Sequence, residues 1–361
     1  MLPKVSIPVN PRHSVVVLSA LAALTIPLAL AGSAVSATDR ADRTDPVPTV
    51  PDIRTVNGSL KLDDDTIRGT DGQIYDRAPV AVSGKDDNLF FGPDFDAACA
   101  QGDRFVKSMD ALSKLARIIT ESGRTAVWTL GYNKSSVMTD ELRRGAFPHG
   151  ACDAKGLRAQ AKIVRDYQDS NYLPLADKLA NSRHQTYFKT DPHWSSVGGS
   201  VFAKALAFHL DRKLGKQQHY TYGSESWQGM LNDLRGIYAP ETVQTAFPDT
   251  TVTSTTRRSS AEWSGYPSLI YDYSWKSSPA RRTYPGRTLL LGDSFTMFSL
   301  QNLRPLFRNG HWMWYYHCDL DDVIDEIVAS DTVVIQIFQL FTAGTTITEP
   351  KYLRKLRRAL A

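Results

Sequence analysis

"RTLLLGDSFTMFSL", residues 287–300, is the stretch whose reading decides the fold. Thr288 to Leu291 suit a buried strand, and Gly292, Asp293 and Ser294 stand at its end, just before an apolar stretch of helical character. Many α/β proteins present a serine nucleophile at such a strand-to-helix turn, and many ordinary turns look the same. A serine hydroxyl is a weak nucleophile until an imidazole accepts its proton, and the imidazole needs a third group to orient it. The reading therefore depends on whether the chain offers such a histidine.

Beyond the N-terminal leader the candidates are His149, His184, His193, His209, His219, His311 and His317. His209 falls within a helical pattern. His149 and His219 sit in loops without a partner motif, and His184 and His311 have no carboxylate spaced nearby to orient them. His317 ends a strand and reads as a site neighbour. His193 differs, because "YFKTDPHWSSVGGS", residues 187–200, places Asp191 two positions before it. Pro192 restricts Asp191 to an extended backbone, and an extended Asp-x-His tip presents both side chains to one side. The carboxylate then accepts one ring proton while the other nitrogen faces a serine. Trp194 supplies a wall, and Ser195 or Ser196 caps the helix that follows.

Outward from these two blocks the chain alternates helices and apolar strands. "APVAVSGKDDNLFFG", residues 78–92, reads as a hairpin turning at Gly84 to Asn88. Phe105, Met109, Leu112, Leu115, Ile118 and Ile119 recur at helical spacing, with Gly123 as the stop. "TAVWTLGY" reads as a buried strand and "AQAKIVRDYQDSNYLPLADKLA" as helix, loop, helix. "SVFAKALAFHLDRKLG" reads as one amphipathic helix ending at Gly215. After polar residues 219–285 come the strand "TLLLG", a helix over 295–307, the strand "HWMWYYH", the helix "DDVIDEIVAS" and the strand "TVVIQIF". This order predicts an α/β fold with a mostly parallel sheet flanked by helices. Sites in such sheets form at the carboxyl ends of strands, where Ser294 falls.

The 361 residues, 42% hydrophobic and 22% charged, suit one large globular domain with an appendage, and a formal charge of +4 does not call for a nucleic-acid partner. No Cys and His spacing suggests a metal site and no Gly-rich loop a nucleotide site, so no metal or cofactor is expected. Lys4, Arg12 and His13 precede an apolar run from Val15 to about Ala31, and Val35-Ser36-Ala37 fits a signal-peptidase site. Residues 1–37 are thus a cleaved signal peptide or a retained anchor, and either places the rest outside the cytoplasm. Residues 38–77 read as a polar, Pro-rich tether and 78–361 as the catalytic domain. Export would permit Cys99 and Cys152 to pair, leaving Cys318 over.

"TDPHWSSVGG" upstream of "LLLGDSF" resembles the alginate O-acetyltransferase family of the AlgJ and AlgX type, which is SGNH-hydrolase-like. In that family the Asp-x-His-Trp block precedes the Gly-Asp-Ser block. "VSGKDDNLFFG", "GYNKSSVMTDEL" and "YYHCDLDDVIDEIVASDTVVIQIF" are similar to its entry hairpin, a strand-end segment with a Lys, and its last helix and strand. The likeness spans about residues 79 to 340. It implies Ser294 as nucleophile, His193 as general base, Asp191 as its orienting carboxylate and an acetyl-enzyme whose acyl group passes to a sugar hydroxyl. Where relatives often carry Glu and Arg in the last strand, this chain has "IQIFQLF".

The backbone N–H of Ser294 is one oxyanion donor. Gly229 and Asn232, in "WQGMLNDLRG", are candidates for the second; Asn302 lies two turns into the helix. Tyr315 and His317 are candidate substrate contacts, although the aromatic run 312–316 reads equally as core. Asp293 reads as a turn-stabilising carboxylate. The implied activity is an extracytoplasmic O-acetyltransferase acting on a polysaccharide, supplied with acetyl groups by a membrane acyltransferase. A carbohydrate acetyl-esterase and a non-catalytic glycan-binding subunit are the alternatives.

Overall fold

A computed structural model of the chain describes residues 66–143, 145–249, 254–258, 272–277, 282–315 and 318–361. The leader and most of the tether lie outside these residues. Among the described residues no helix is long and apolar enough to cross a membrane.

Folded structure begins before the boundary expected at residue 78. Strands β1 (Thr66–Arg68) and β2 (Ile74–Asp76) form an antiparallel hairpin, and the Thr70 N–H donates to the Cys99 carbonyl at 2.9 Å. The polar composition hides one anchoring residue, Ile67, which is buried beside Cys99 and Cys152. The expected hairpin follows as β3 (Ala81–Ser83) and β4 (Leu89–Phe91), turning through Asp86 and Asp87 at φ 50° and 63°. Aspartate tolerates this left-handed backbone better than most residues do.

Next come helices α1 (Gly92–Gln101) and α2 (Asp103–Glu121), strand β5 (Thr125–Gly131), and helices α3 (Lys134–Val137), α4 (Ala151–Asp166) and α5 (Ala176–Ala180). The helix expected to run to Gly215 is two: α6 (Ser196–Leu210) and α7 (Arg212–Lys216). Asp211 leaves helical backbone, at φ −156° and ψ 115°, and its carboxylate caps α7 through the N–H groups of Lys213 and Leu214. Nor is α6 one-sided, since most of its residues from Ser196 to Ala207 are buried between neighbouring elements.

The stretch that reads poorly holds β6 (Tyr220–Trp227), α8 (Met230–Leu234), β7 (Glu241–Pro248), β8 (Ser254–Arg258) and β9 (Asp272–Lys276). The remaining elements are β10 (Tyr284–Gly292), α9 (Ser294–Leu303), β11 (Phe307–Trp314), α10 (Leu320–Ala329), β12 (Thr332–Phe338) and α11 (Pro350–Leu360). α9 stops short of the expected Phe307 because Pro305 cannot extend it.

Six strands form the central sheet in the order β5-β12-β10-β11-β9-β8; the first four are mutually parallel, and β9 pairs antiparallel with both β11 and β8. β10 is central, and Leu290 lies opposite Trp312 on one side and Val334 on the other. The strand ends nearest the site are buried without alternation, Thr288 to Gly292 in β10 and the whole of β12. Trp312, Trp314 and Tyr315 are buried, so these three rings offer no open face to a sugar.

Candidate active site

Ser294 is the first residue of α9, directly beyond β10. Its turn is fixed by Asp293, whose carboxylate accepts the Phe295 N–H at 3.0 Å and the Phe338 N–H from the end of β12. Gln336 adds a second hold: its side-chain oxygen accepts from Asp293 N–H, Thr296 N–H and the Thr296 hydroxyl. Gly292 permits the close approach, since a Cβ there would lie 2.1 Å from Thr296 Oγ1. Burial pushes the Asp293 carboxyl up to about 6 against the pull of these hydrogen bonds. It is a turn-forming group here, as its position in the sequence suggests.

Residues 187–194 form a closed loop, bridged between Tyr187 and Trp194, with the Phe188 N–H donating to the His193 carbonyl and the Ser195 N–H to the Thr186 carbonyl. The tip, residues 189–193, is a bend. Asp191 Oδ1 accepts the backbone N–H of His193 at 3.0 Å, an Asx turn that returns the chain at once. The same oxygen meets His193 Nδ1 at 2.7 Å, and His193 Nε2 meets Ser294 Oγ at 2.8 Å. Residues 101 positions apart in sequence thereby form one hydrogen-bonded chain, carboxylate to imidazole to hydroxyl. With Nδ1 facing a carboxylate, the ring carries its proton there and turns a lone pair toward the serine.

The other oxygen of Asp191 accepts the Met230 N–H at 2.9 Å, at the start of α8. Burial works to raise the Asp191 pKa, but the His193 charge and the hydrogen bonds from His193 and Met230 outweigh it and hold the group below the usual carboxylate value. Asp191 is thus ionised and immobile. Trp194 is more than a wall, because its indole N–H reaches both the Phe295 carbonyl and Ser299 Oγ at 2.9 Å and ties the histidine loop to the serine helix. Phe295 and Phe298 flank the imidazole, each with ring centroids 4.8 Å away. Ser294 is half-buried beside them.

The remaining candidates are placed differently. At Gly229 a Cβ would lie 2.1 Å from Thr190 Oγ1, so the glycine lets α8 press against the Asp191 loop. The Asn232 amide is buried and donates to the Ala239 carbonyl at 3.1 Å, closing its own loop. This side chain supports structure and is not aimed at an oxyanion. Asn302 donates to the Ser196 carbonyl at 2.7 Å and joins α9 to α6. Tyr315 is buried, with its backbone N–H on the Gly292 carbonyl at 3.4 Å. His317 lies outside the described residues. Cys99 and Cys152 are disulfide-bonded, joining α1 to α4, and Cys318 is half-buried. Among the described residues no group of three or more His, Cys, Asp or Glu side chains is arranged to hold a metal ion.

Sequence reading missed the Met230 N–H and the Glu241 carboxylate, which accepts from the backbone N–H groups of Lys189 and Thr190 and from the Thr190 hydroxyl. Neither has a local signature: one is a main-chain donor, the other a lone acid 50 residues beyond Asp191.

A family model described as an SGNH hydrolase-like domain of the acetyltransferase AlgX matches residues 81–271, more than half of the chain. The matched span includes Asp191 and His193 and ends before Ser294, which the fold brings to them. Bacillus cereus PatB1 has a similar fold, with a TM-score of 0.54 and 14% identity over 75% of this chain and 99% of that one. The O-acetyltransferase domain of Pseudomonas putida AlgJ gives 0.46 and 18%, covering 78% of this chain and 99% of that one. Pseudomonas aeruginosa AlgX gives 0.41 and 10%, over 86% and 70% respectively. No curated protein sequence matches the chain. By the family match, the chain belongs to the SGNH-hydrolase-like AlgX acetyltransferase family.

Proposed function

We propose that the protein is a serine-dependent O-acetyltransferase that works outside the cytoplasm and moves acetyl groups to hydroxyls of a polysaccharide. The observation that carries this reading is the continuous chain from Asp191 through His193 to Ser294, at 2.7 and 2.8 Å. His193 Nε2 takes the Ser294 proton as Oγ attacks the carbonyl carbon of an acetyl ester. The tetrahedral oxyanion lies at the N-terminus of α9, where the Ser294 N–H and the helix dipole favour negative charge. Collapse expels the donor's alcohol, which takes the proton from the imidazolium and leaves acetyl-Ser294. A sugar hydroxyl then gives its proton to His193 as its oxygen attacks, and a second collapse restores the serine. Asp191 holds the ring tautomer and stabilises the imidazolium in both halves.

The family supports acetyl transfer, and the Cys99–Cys152 disulfide and the apolar leader support an oxidising compartment. Acetyl-CoA is a cytoplasmic donor, so a membrane acyltransferase would have to deliver the acetyl group. The test is incubation of the protein with 4-nitrophenyl acetate and a panel of oligosaccharides, followed by mass spectrometry. Acetylated oligosaccharide is expected with the wild type and not with Ser294→Ala. Nitrophenol release without a sugar product assigns the esterase reading, and an inert wild type rejects both.

A further inference from the structure

Lys134 has no part in the proton relay, yet it is almost wholly buried, 1% exposed. It follows the end of β5 and opens α3. Its Nζ donates to three main-chain carbonyls: Leu89 on β4 at 3.0 Å, Phe188 at 2.7 Å and Lys189 at 2.8 Å. The Phe90 ring lies 5.1 Å from Nζ. Three donated bonds use all three hydrogens of an ammonium, whereas a neutral amine has two, so this geometry selects the charged form.

The opposite side of the same segment is held by the opposite charge. Glu241, at the start of β7, accepts the N–H groups of Lys189 and Thr190 and the Thr190 hydroxyl, all within 2.9 Å. The peptide groups of residues 188–190 therefore point their carbonyls at a cation and their amides at an anion, so their planes cannot rotate without breaking charge-assisted bonds. Asp191 is the next residue. Leu89 reinforces the arrangement by donating its own N–H to the Lys189 carbonyl at 2.7 Å.

We propose that Lys134 and Glu241 form an ionic grip that positions the Asp191–His193 pair for Ser294, with Lys134 as the central positioning residue. This rests on the proposed role of Asp191 and His193. The charged groups around Lys134 are Glu241, Asp191, Glu141 and Lys189. Burial outweighs the pull of the three carboxylates and brings the Lys134 pKa down to about 7. Because the cation neighbours Asp191, the grip also contributes to the electrostatic field at His193. Removing the cation favours imidazolium, and removing the anion disfavours it.

The test compares Lys134→Met and Glu241→Gln with the wild type by two readouts. The first is the pH profile of kcat/KM for 4-nitrophenyl acetate. The second is the NMR titration of the His193 imidazole, which does not require turnover. Each variant is expected to lose roughly 10–100-fold in kcat/KM through misplacement of the base. The His193 midpoint is expected to rise in Lys134→Met and to fall in Glu241→Gln, by about half a pH unit each. Two folded variants with unmoved midpoints would reduce the grip to ordinary packing and overturn the proposal, as would wild-type kcat/KM in both. If Lys134→Met does not fold, the direction of the Glu241→Gln shift decides alone. A wild type without Ser294-dependent turnover rejects the proposed function, and the NMR midpoints then decide the grip separately.

Discussion

At the scale of single residues, an Asp-His contact does not by itself mark a catalytic site in this chain. His149 meets Asp96 at 2.7 Å, and His311 lies between Asp272 and Glu326, with the Glu326 contact at 2.8 Å. All three histidines are buried. Only His193 has a serine hydroxyl on its second nitrogen among the described contacts. The sequence made His193 conspicuous because its carboxylate lies two positions away. Asp96 and Asp272 are 53 and 39 positions from their histidines, which is why His149 and His311 read as unpartnered. The three central site residues were legible as local motifs; the main-chain donor from Met230 was not, since every residue but proline carries one. Asp191→Asn keeps the shape while removing the charge and one acceptor. It is expected to lower kcat for acetyl ester cleavage by about 10³–10⁴-fold. A loss below tenfold in steady-state assays would count against Asp191 as the orienting group.

Strands and helices that bury both faces were the easiest to locate, because long apolar runs bounded by glycine have few alternatives. The failures came where one side chain redirected the backbone, as Asp211 does between α6 and α7. The antiparallel pairing of β9 with β11 and β8 was also hidden, since polar strands at a sheet edge carry little periodic signal. A charged cluster now joins these elements: His311 on β11 meets Asp272 on β9 and Glu326 on α10, and Arg287 on β10 completes the group through Glu326. Burial alone would lower the His311 pKa, but the two carboxylates outweigh it and raise it to about 9, while hydrogen bonds and charge from His311 and Arg287 bring the Glu326 pKa down to about 2 against the effect of burial. A raised histidine pKa stabilises fully below the unfolded value near 6.5, and that stabilisation is lost as pH rises through about 9. The Glu326 contribution is complete above its ordinary 4.5 and is lost as pH falls toward 2. Urea midpoints should therefore drop between pH 7 and pH 10 in the wild type. They should drop less in His311→Asn; equal drops would contradict the linkage.

Over the whole molecule, α/β class and a mostly parallel sheet follow from the alternation of helices and apolar strands, but the strand order does not, because β12 inserts between β10 and the distant β5. The Cys99–Cys152 bridge spans 53 positions and fastens α1 to α4, with Ile67 packed on it. Closing a loop of that length limits the unfolded chain and contributes about 4 kcal/mol in the chain-entropy model. The double substitution Cys99→Ser, Cys152→Ser is expected to lower stability by about 2–4 kcal/mol in urea titrations. It should leave kcat/KM within a fewfold at 20 °C or so, since neither half of the bridge touches the Asp191 to Ser294 chain. Unchanged unfolding midpoints would contradict this.

The order β5-β12-β10-β11 carries a further consequence for how the protein comes into being. β5 has one partner in the sheet, β12, whose last residue, Phe338, is made more than 200 residues after Gly131. The sheet cannot grow outward from β5 early, because the strands that continue it in parallel, β12, β10 and β11, lie in the last quarter of the polypeptide. During vectorial synthesis or translocation, β5 therefore remains an open edge until nearly the whole chain has passed, an edge that invites wrong partners. His193 and Ser294, 101 positions apart, likewise come together only across a long stretch of chain. A chain that stops short of β12 therefore lacks both the sheet partner of β5 and the Phe338 N–H that holds the Asp293 turn before Ser294.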